Sequence, residues 1–176
     1  MRIIALPEDW PALVIAGVDD PRAWFDQEEL RIADAFPREK RREEWMLSRI
    51  AEKELRRRGA RGGCVSYSHS GPYGAAAVAA TPVGIDVELL RAIRPQAAHL
   101  FLSRQEEAAA QACAIEQALL HFWCAKEAAW KQRGGATPTL KRVPLRLLRE
   151  HARGLVFDGA ETWRADEVVV AISVSS

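Results

Sequence analysis

The sequence predicts a mixed α/β (α+β) fold. Three observations support this class: short runs rich in β-branched residues, longer segments with helix start and stop signals, and turns containing Gly or Pro between them. The chain has 176 residues and is 48% hydrophobic, which is enough apolar material for the core of one domain. We therefore expect a single domain that spans residues 1–176.

The first half of the chain predicts strands near both of its ends and two helices in between. The strands are predicted in five runs of β-branched or small residues: "RIIAL", "ALVIA", "CVSYSHSG", "GAAAVAA" and "VGIDVE". Asp20 as N-cap and Pro21 as the first helical residue predict a helix over about 21–36. A longer helix is predicted over about 37–58, because Gly59 is a suitable C-terminal stop.

The strand "VGIDVE" alternates strictly between two faces. Val83, Ile85 and Val87 point to one side, and Asp86 and Glu88 point to the other. Two carboxylates roughly 7 Å apart on one face repel each other unless they are solvated or share a cation. The pattern therefore leaves two interpretations open, the solvent-facing side of an antiparallel sheet and a cation site.

The second half of the chain predicts helices followed by strands. Ser103 and Glu106 form a capping box that predicts a helix over about 103–112. A further helix is predicted over about 115–133, where two consecutive glycines follow. We also expect a short helix near 144–151. The last strands are predicted in three runs: "GLVFD", "ETWRA" and "EVVVAISV".

Charge and cysteine content limit the possible classes of function. The net charge of +1 gives no overall argument for a nucleic acid or a membrane as partner, although residues 38–61 hold ten Lys or Arg against five Glu. Three cysteines without a CxxC pair argue against a disulfide framework and a structural zinc site. Acidic residues and prolines interrupt the apolar N-terminal runs, so a signal peptide or membrane span is not expected. We expect a soluble, cytoplasmic protein.

The segment "FWCAKEAAWK" places Glu127 and Lys131 one helical turn apart. Such a pair is often only a helix-stabilising ion pair worth about 0.2–0.5 kcal/mol, and this interpretation stays open. His69 stands in "SHSG", where a turn with free backbone N–H groups is able to bind phosphate; a structural histidine is the alternative. With Asp86 and Glu88, Glu127 completes a set of three carboxylates that suits Mg²⁺ and a substrate bearing polyphosphate.

These segments resemble a known enzyme family. "VGIDVE" followed later by "FWCAKEAAWK" is similar to the signature of the 4′-phosphopantetheinyl transferases, Gly-Ile/Val-Asp and Trp-x-x-Lys-Glu-x-x-x-Lys. "SHSG" resembles the turn that precedes this signature in the surfactin-synthetase-type (Sfp-like) branch. The resemblance implies a pseudo-dimer of two small lobes, approximately 1–80 and 81–176, each an antiparallel sheet packed on a long helix.

The resemblance also implies an activity and its residues. Members of the family transfer the 4′-phosphopantetheine group of coenzyme A to a serine of an acyl or peptidyl carrier protein and release adenosine 3′,5′-bisphosphate. The implied roles are Mg²⁺ ligands at Asp86, Glu88 and Glu127, catalytic residues at Glu127 and Lys131, and coenzyme A contacts at Ser68, His69, Lys53, Arg49 and Lys131. We expect a monomer whose partners are coenzyme A and the apo carrier protein, and neither a nucleic acid nor a membrane.

The chain departs from the branch in its length, in a missing stretch, and at Lys53, where Arg is more usual. It resembles a shortened member, because the Gly-Lys-Pro stretch expected between the basic helix and the histidine turn is missing. This stretch helps to form the nucleotide end of the site, so contacts to the 3′-phosphate are expected to be weak. Two other functions stay open, a non-catalytic homologue that binds carrier proteins and a metal-dependent nuclease.

Overall fold

The computed structural model describes residues 1–175 and contains two antiparallel sheets, as the predicted α+β class requires. The first sheet has the strand order β1-β2-β4-β3. Its strands are β1 (Arg2–Ile4), β2 (Ala12–Ala16), β3 (Cys64–Ser70) and β4 (Tyr73–Ala79). All four runs that predicted strands in this part of the chain are confirmed.

The second sheet has the strand order β5-β9-β8-β7-β6. Its strands are β5 (Val83–Leu89), β6 (Leu147–His151), β7 (Gly154–Phe157), β8 (Ala160–Ala165) and β9 (Val168–Val174). The short helix predicted near 144–151 is wrong, because β6 pairs with β7 instead. An eight-residue helix leaves about half of its own backbone groups without partners, so the pairing of this segment with the nearby strand β7 decides its structure.

Four α-helices lie within residues 1–175, and two of them pack on the sheets. The helices are α1 (Gln27–Asp34), α2 (Glu39–Arg57), α3 (Arg104–Ala112) and α4 (Ala118–Gln132). Helix α2 packs on the first sheet, mainly on β4, and α4 packs on β5 and β9 of the second. The capping box of Ser103 and Glu106 is confirmed, and α2 ends before Gly59, which has a φ of +105°. None of the helices within residues 1–175 combines the length and apolarity needed to cross a membrane.

The helix predicted over 21–36 is interrupted. A 3₁₀ turn covers Pro21–Trp24, and α1 begins only after Asp26. The Asp26 side chain accepts a hydrogen bond from the backbone N–H of Glu29, and the Glu29 side chain accepts one from the backbone N–H of Asp26. This second capping box makes Asp26 the N-cap of α1, so the prediction that Asp20 starts one continuous helix is wrong.

Serine side chains join the two sheets at their edges. Strand β3 ends the first sheet and β5 ends the second, and each leaves one row of backbone groups without a strand partner. Three alternate serines of β3 fill this gap by accepting hydrogen bonds from β5, in the pairs Ser66 with Ile85 N (3.0 Å), Ser68 with Val87 N (3.2 Å) and Ser70 with Leu89 N (3.1 Å). The serine ladder, Ser66, Ser68 and Ser70, therefore fixes the register between the sheets.

Candidate active site

Asp86 is buried at the junction of β3, β5 and α4, with 5% of its surface exposed. Its Oδ1 accepts hydrogen bonds from Nζ of Lys131 and Oγ of Ser68, both at 2.8 Å. Nζ of Lys131 also donates to Oγ of Ser68 (3.1 Å) and to the carbonyl oxygen of Ile85 (3.0 Å). The interpretation of Asp86 as a solvent-facing residue is therefore wrong, because α4 covers this face of β5.

Lys131 forms its ion pair with Asp86 on another element and not with Glu127 on its own helix. Within residues 1–175 no ion pair joins Glu127 and Lys131, so the local helix pair is not the explanation of these two side chains. Lys131 reaches Asp86 because α4 lies very close to β5. A Cβ built on Gly84 would lie 1.9 Å from the carbonyl oxygen of Ala128, so the helix sits this near only because residue 84 has no side chain.

Asp86 and Glu127 are two of the three predicted metal ligands. Oδ2 of Asp86 is buried and has no hydrogen-bond partner within residues 1–175. The pKa of Glu127 is raised by burial and by the negative charge of Asp86, partly offset by Lys131 and raised further by Glu88. A divalent cation would satisfy the unpaired oxygen and remove the repulsion between the carboxylates. The chemistry of these oxygen donors fits a hard ion such as Mg²⁺.

The Glu88 carboxylate is hydrogen-bonded to side chains other than those that hold Asp86. Its Oε1 accepts a hydrogen bond from Nε1 of Trp123 (3.0 Å), and its Oε2 accepts one from Oγ of Ser70 (3.3 Å). The guanidinium of Arg91 lies 3.5 Å from Oε1. In agreement with this orientation, no group of three or more His, Cys, Asp or Glu side chains in residues 1–175 is close enough to hold a metal ion. The charges of Asp86 and Glu88 both raise the pKa of Glu127, and of these three carboxylates Glu88 is the one hydrogen-bonded to Trp123 and Ser70.

His69 lies in strand β3, paired with Gly74, and the turn begins only after Ser70. The prediction that His69 stands in an open turn is therefore wrong. Its Nε2 lies 3.3 Å from the guanidinium of Arg41 and 3.6 Å from a carboxylate oxygen of Glu44. The net effect of the surroundings is to lower the pKa of His69. Burial is the largest cause, and the positive charge of Arg41 adds to it, while the negative charge of Glu44 acts in the opposite direction. Since its ordinary pKa is about 6.5, the imidazole is largely neutral at pH 7.

Lys53 and Arg49, the predicted cations for the 3′-phosphate, are held by other side chains. Nζ of Lys53 lies 2.7 Å from a carboxylate oxygen of Glu29. The guanidinium of Arg49 lies 3.5 Å from the centre of the Tyr67 ring. Glu44 lies beside His69, and Lys53 follows Glu44 by nine residues on α2. At a rise of 1.5 Å per residue, Lys53 is roughly 13 Å further along the helix than Glu44. Neither cation contacts His69 within the described part of the chain.

Lys126 serves a different part of the molecule, although it stands next to Glu127. Its side chain is fully buried, and Nζ forms an ion pair with Glu106 at 2.7 Å and donates to the carbonyl oxygen of Val143. Successive residues on a helix are about 100° apart, so Lys126 faces α3 while Glu127 faces β5. Cys124 is also buried, and its Sγ donates to the carbonyl oxygen of Val169. Both residues contribute to the core.

Two residues of this site were not singled out by the sequence. Arg41 was one of ten cations in a basic segment, and nothing local distinguished it from its neighbours. Ser70 was part of "SHSG", but its contact with Glu88 depends on the register between β3 and β5. The alternation of serines at 66, 68 and 70 is the one sequence signal that indicated a common face for the ladder.

A comparison with protein families identifies the superfamily of the chain. The model described as the 4′-phosphopantetheinyl transferase superfamily matches residues 82–172, slightly more than half of the chain. The matched range begins one residue before β5 and ends within β9, so it contains Asp86, Glu127 and Lys131. A search of curated proteins finds no match to the chain.

Proposed function

The chain belongs to the 4′-phosphopantetheinyl transferase superfamily, and we propose that it transfers the 4′-phosphopantetheine group of coenzyme A to a serine of an acyl or peptidyl carrier protein. The observation that carries this proposal is the state of Asp86. One of its oxygens is held by Lys131 and Ser68, while the other is buried and unpartnered, as a cation ligand would be. The histidine next to the serine ladder supports assignment to the surfactin-synthetase-type branch.

The reaction requires one bond to form and one to break. The carrier serine oxygen attacks the phosphorus that bears the pantetheine arm, and the bond from this phosphorus to the bridging oxygen breaks, so that adenosine 3′,5′-bisphosphate leaves with the bond electrons. Glu127 accepts the serine proton, directly or through water.

Asp86 and Glu127 would hold the metal ion. When bound, Mg²⁺ supplies positive charge to the pyrophosphate oxygens. Lys131 fixes Asp86 in place, and its side chain is 23% exposed. Its three N–H donors already bind Asp86, Ser68 and the carbonyl oxygen of Ile85, so a phosphate oxygen of the substrate would have to replace one of these acceptors. Ser68 orients both side chains through its hydroxyl group.

Arg41 and His69 are proposed to contact the pyrophosphate of coenzyme A. The Arg41 side chain is 60% exposed, donates to Glu44 at 3.1 Å and lies 3.3 Å from Nε2 of His69, which accepts from it. The guanidinium therefore keeps further N–H donors at the edge of the junction. Lys53 and Arg49 are engaged with Glu29 and Tyr67. We therefore propose that the 3′-phosphate contributes little to binding and that dephospho-coenzyme A serves nearly as well as the full donor.

Transfer of radiolabel from the pantetheine arm of coenzyme A to an apo carrier protein tests the proposal. We expect Mg²⁺-dependent labelling of the carrier serine by the wild-type protein and none by Asp86→Asn. Asp158→Asn is a matched control, since Asp158 lies on the surface in an ion pair with Arg146 and should not affect transfer. Carrier binding without labelling would indicate the non-catalytic homologue. Cleavage of a phosphodiester substrate without labelling would indicate the nuclease.

A further inference from the structure

We infer that a cavity beside α3 and α4, separate from the site of transfer, binds a small anion that has an apolar body, such as an aromatic or fatty carboxylate. The cavity has a volume of about 560 Å³ and is enclosed by α3, the end of α4, residues 144–147 and Asp158. Sites for small molecules commonly have volumes in this range and combine apolar walls with a few charged groups. Because the cavity lies apart from the predicted metal ligands, its ligand is a function beyond the proposed one.

The position of the cavity on α4 keeps it away from the transfer site. The helix contributes Phe122 and Arg133 to the cavity. At 3.6 residues per turn, these two side chains lie roughly 120–180° around α4 from Glu127 and Lys131. The body of the helix therefore separates the cavity from the carboxylates, and a molecule bound in the cavity would leave the coenzyme A site open.

The inner part of the cavity is apolar. Four residues form its apolar walls: Ala109, Pro144, Leu145 and Leu147. The ring of Phe122 closes the bottom and is itself fully buried. An aromatic ring or alkyl chain placed between these walls would remove their remaining apolar surface from water, which favours binding. The ligand therefore needs an apolar body.

The charge at the opening of the cavity favours an anion. Arg146 forms an ion pair with Asp158 at 3.1 Å, whereas none of the ion pairs within residues 1–175 contains the exposed Arg133. Glu106 also borders the cavity, but Lys126 neutralises its charge through an ion pair at 2.7 Å. One positive charge is thus left over in the described lining, and a guanidinium binds carboxylate and sulfonate oxygens strongly.

A neighbouring groove extends this positive charge beyond the cavity. The groove has a volume of about 260 Å³ and shares Glu106, Pro144 and Leu145 with the cavity. It is also lined by Lys141 and Arg142, both of which are exposed. Cations that line one cleft raise the local concentration of an anion near it. The charged group of the ligand is therefore expected at the opening, with its apolar body below.

Two dyes that share one aromatic skeleton test the charge requirement on the full chain. Anilinonaphthalene sulfonate carries a negative charge, and N-phenylnaphthylamine carries none. In a fluorescence titration, Arg133→Gln should weaken binding of the sulfonate dye about tenfold and change binding of the neutral dye less than about twofold, because only the sulfonate loses a charged hydrogen bond. Arg61→Gln is a matched control, since Arg61 is exposed in the segment before β3 and should affect neither dye. Equal effects of Arg133→Gln on both dyes would overturn the inference.

A second pair of variants tests the cavity itself. Ala109→Phe fills the cavity with a ring and should weaken binding of both dyes about tenfold or more, because close-packed volume cannot hold a ligand. Ala108→Phe is a matched control, because Ala108 is the preceding residue on α3, is exposed and is not one of the described residues that line the cavity. Unchanged dye binding in Ala109→Phe would place the dyes elsewhere and overturn the inference. If this variant does not fold, the exposed substitution Arg133→Gln decides alone.

Competition experiments test the class of ligand and its separation from the transfer site. Sodium octanoate should displace the sulfonate dye, and octanol at the same concentration should displace much less, because only octanoate has a charge for Arg133. Equal displacement by both would contradict the requirement for an anion. Saturating coenzyme A with Mg²⁺ should leave the dye bound; its displacement would place the dye in the transfer site and overturn the inference. None of these measurements uses the transfer reaction, so failure of the proposed function and failure of this ligand site are seen separately.

Discussion

Replacement of Lys126 by methionine should destabilise the protein without affecting the active site. Lys126 is fully buried, and its ion-pair partner Glu106 is 6% exposed. Removing one partner of a buried pair costs roughly 3–5 kcal/mol. The lower end applies here, because Glu106 keeps the backbone N–H groups of Ser103 (2.7 Å) and Leu145 (2.9 Å). A loss of about 3 kcal/mol corresponds to a fall in Tm of about 6–12 °C for a chain of this size.

The cost should depend on pH in a definite direction. In the wild-type protein, burial raises the pKa of Glu106, but hydrogen bonds from Lys126, Ser103 and Leu145 outweigh it and the net pKa is lowered. A carboxyl whose pKa is lower in the folded than in the unfolded protein stabilises the fold at any pH above its unfolded pKa. This stabilisation is lost as the pH falls through the folded pKa. Without Lys126, burial raises the pKa, so the variant gains stability as Glu106 is protonated. The difference between the two proteins should therefore shrink from neutral pH to about pH 5.

Urea denaturation at the two pH values, with Mn²⁺ binding and transfer measured on the folded variant, checks this prediction. Lys141→Met is a matched control, since the exposed Lys141 contacts only the carbonyl oxygen of His99 among the described residues and should cost little. A variant that keeps its stability but loses transfer would show that Lys126 acts in the reaction. A stability difference that does not change with pH would refute the role assigned to Glu106.

Four further predictions concern the site directly. Excess EDTA and Asp86→Asn should each abolish transfer while the fold is kept; full activity in EDTA would refute the metal-dependent mechanism. Glu127→Gln should lower turnover about 100-fold or more, since general-base contributions are commonly 10²–10⁴, and unchanged turnover would refute its role as base. Ser66→Ala should lower stability by about 1–3 kcal/mol for an unpaired backbone N–H. Ser68→Ala should cost more, because its hydroxyl also bonds Asp86 and Lys131, and it alone of the two should impair transfer. The kcat/KM for dephospho-coenzyme A should lie within about tenfold of that for coenzyme A, a difference of about 1.4 kcal/mol. A thousandfold preference for coenzyme A would show that side chains of this protein bind the 3′-phosphate. The Lys53→Ala variant would then show whether Lys53 is one of them.

Local signals in the sequence determined most of the secondary structure. Capping by Ser103 and Glu106 and the stop at Gly59 involve residues within one helical turn, so the sequence alone predicted them. The alternation in "VGIDVE" likewise predicted which side chains of β5 share a face. The predicted helix near 144–151 failed because the partner strand β7 begins at residue 154, and single-segment patterns contain no pairing information.

Tertiary structure decided the assignment of charges in the site. The spacing of Glu127 and Lys131 favoured an ion pair on one helix. Because α4 approaches β5 closely at Gly84, Lys131 instead forms its ion pair with Asp86. The motif placed Glu88 with the metal ligands, whereas the register between β3 and β5 placed it against Ser70 and the packing of α4 placed it against Trp123.

The physical reason is the range of the interactions. Helix caps and strand alternation depend on backbone geometry within a few residues, and each is fixed by residue type and spacing. The partner of a charged side chain depends on which long-range contacts bring two elements within about 4 Å, because charge–charge and hydrogen-bond energies fall steeply with distance and exposure to water. The sequence by itself determined most of the elements and the chemical types of the site, and the packing of those elements determined which partner each charged side chain binds.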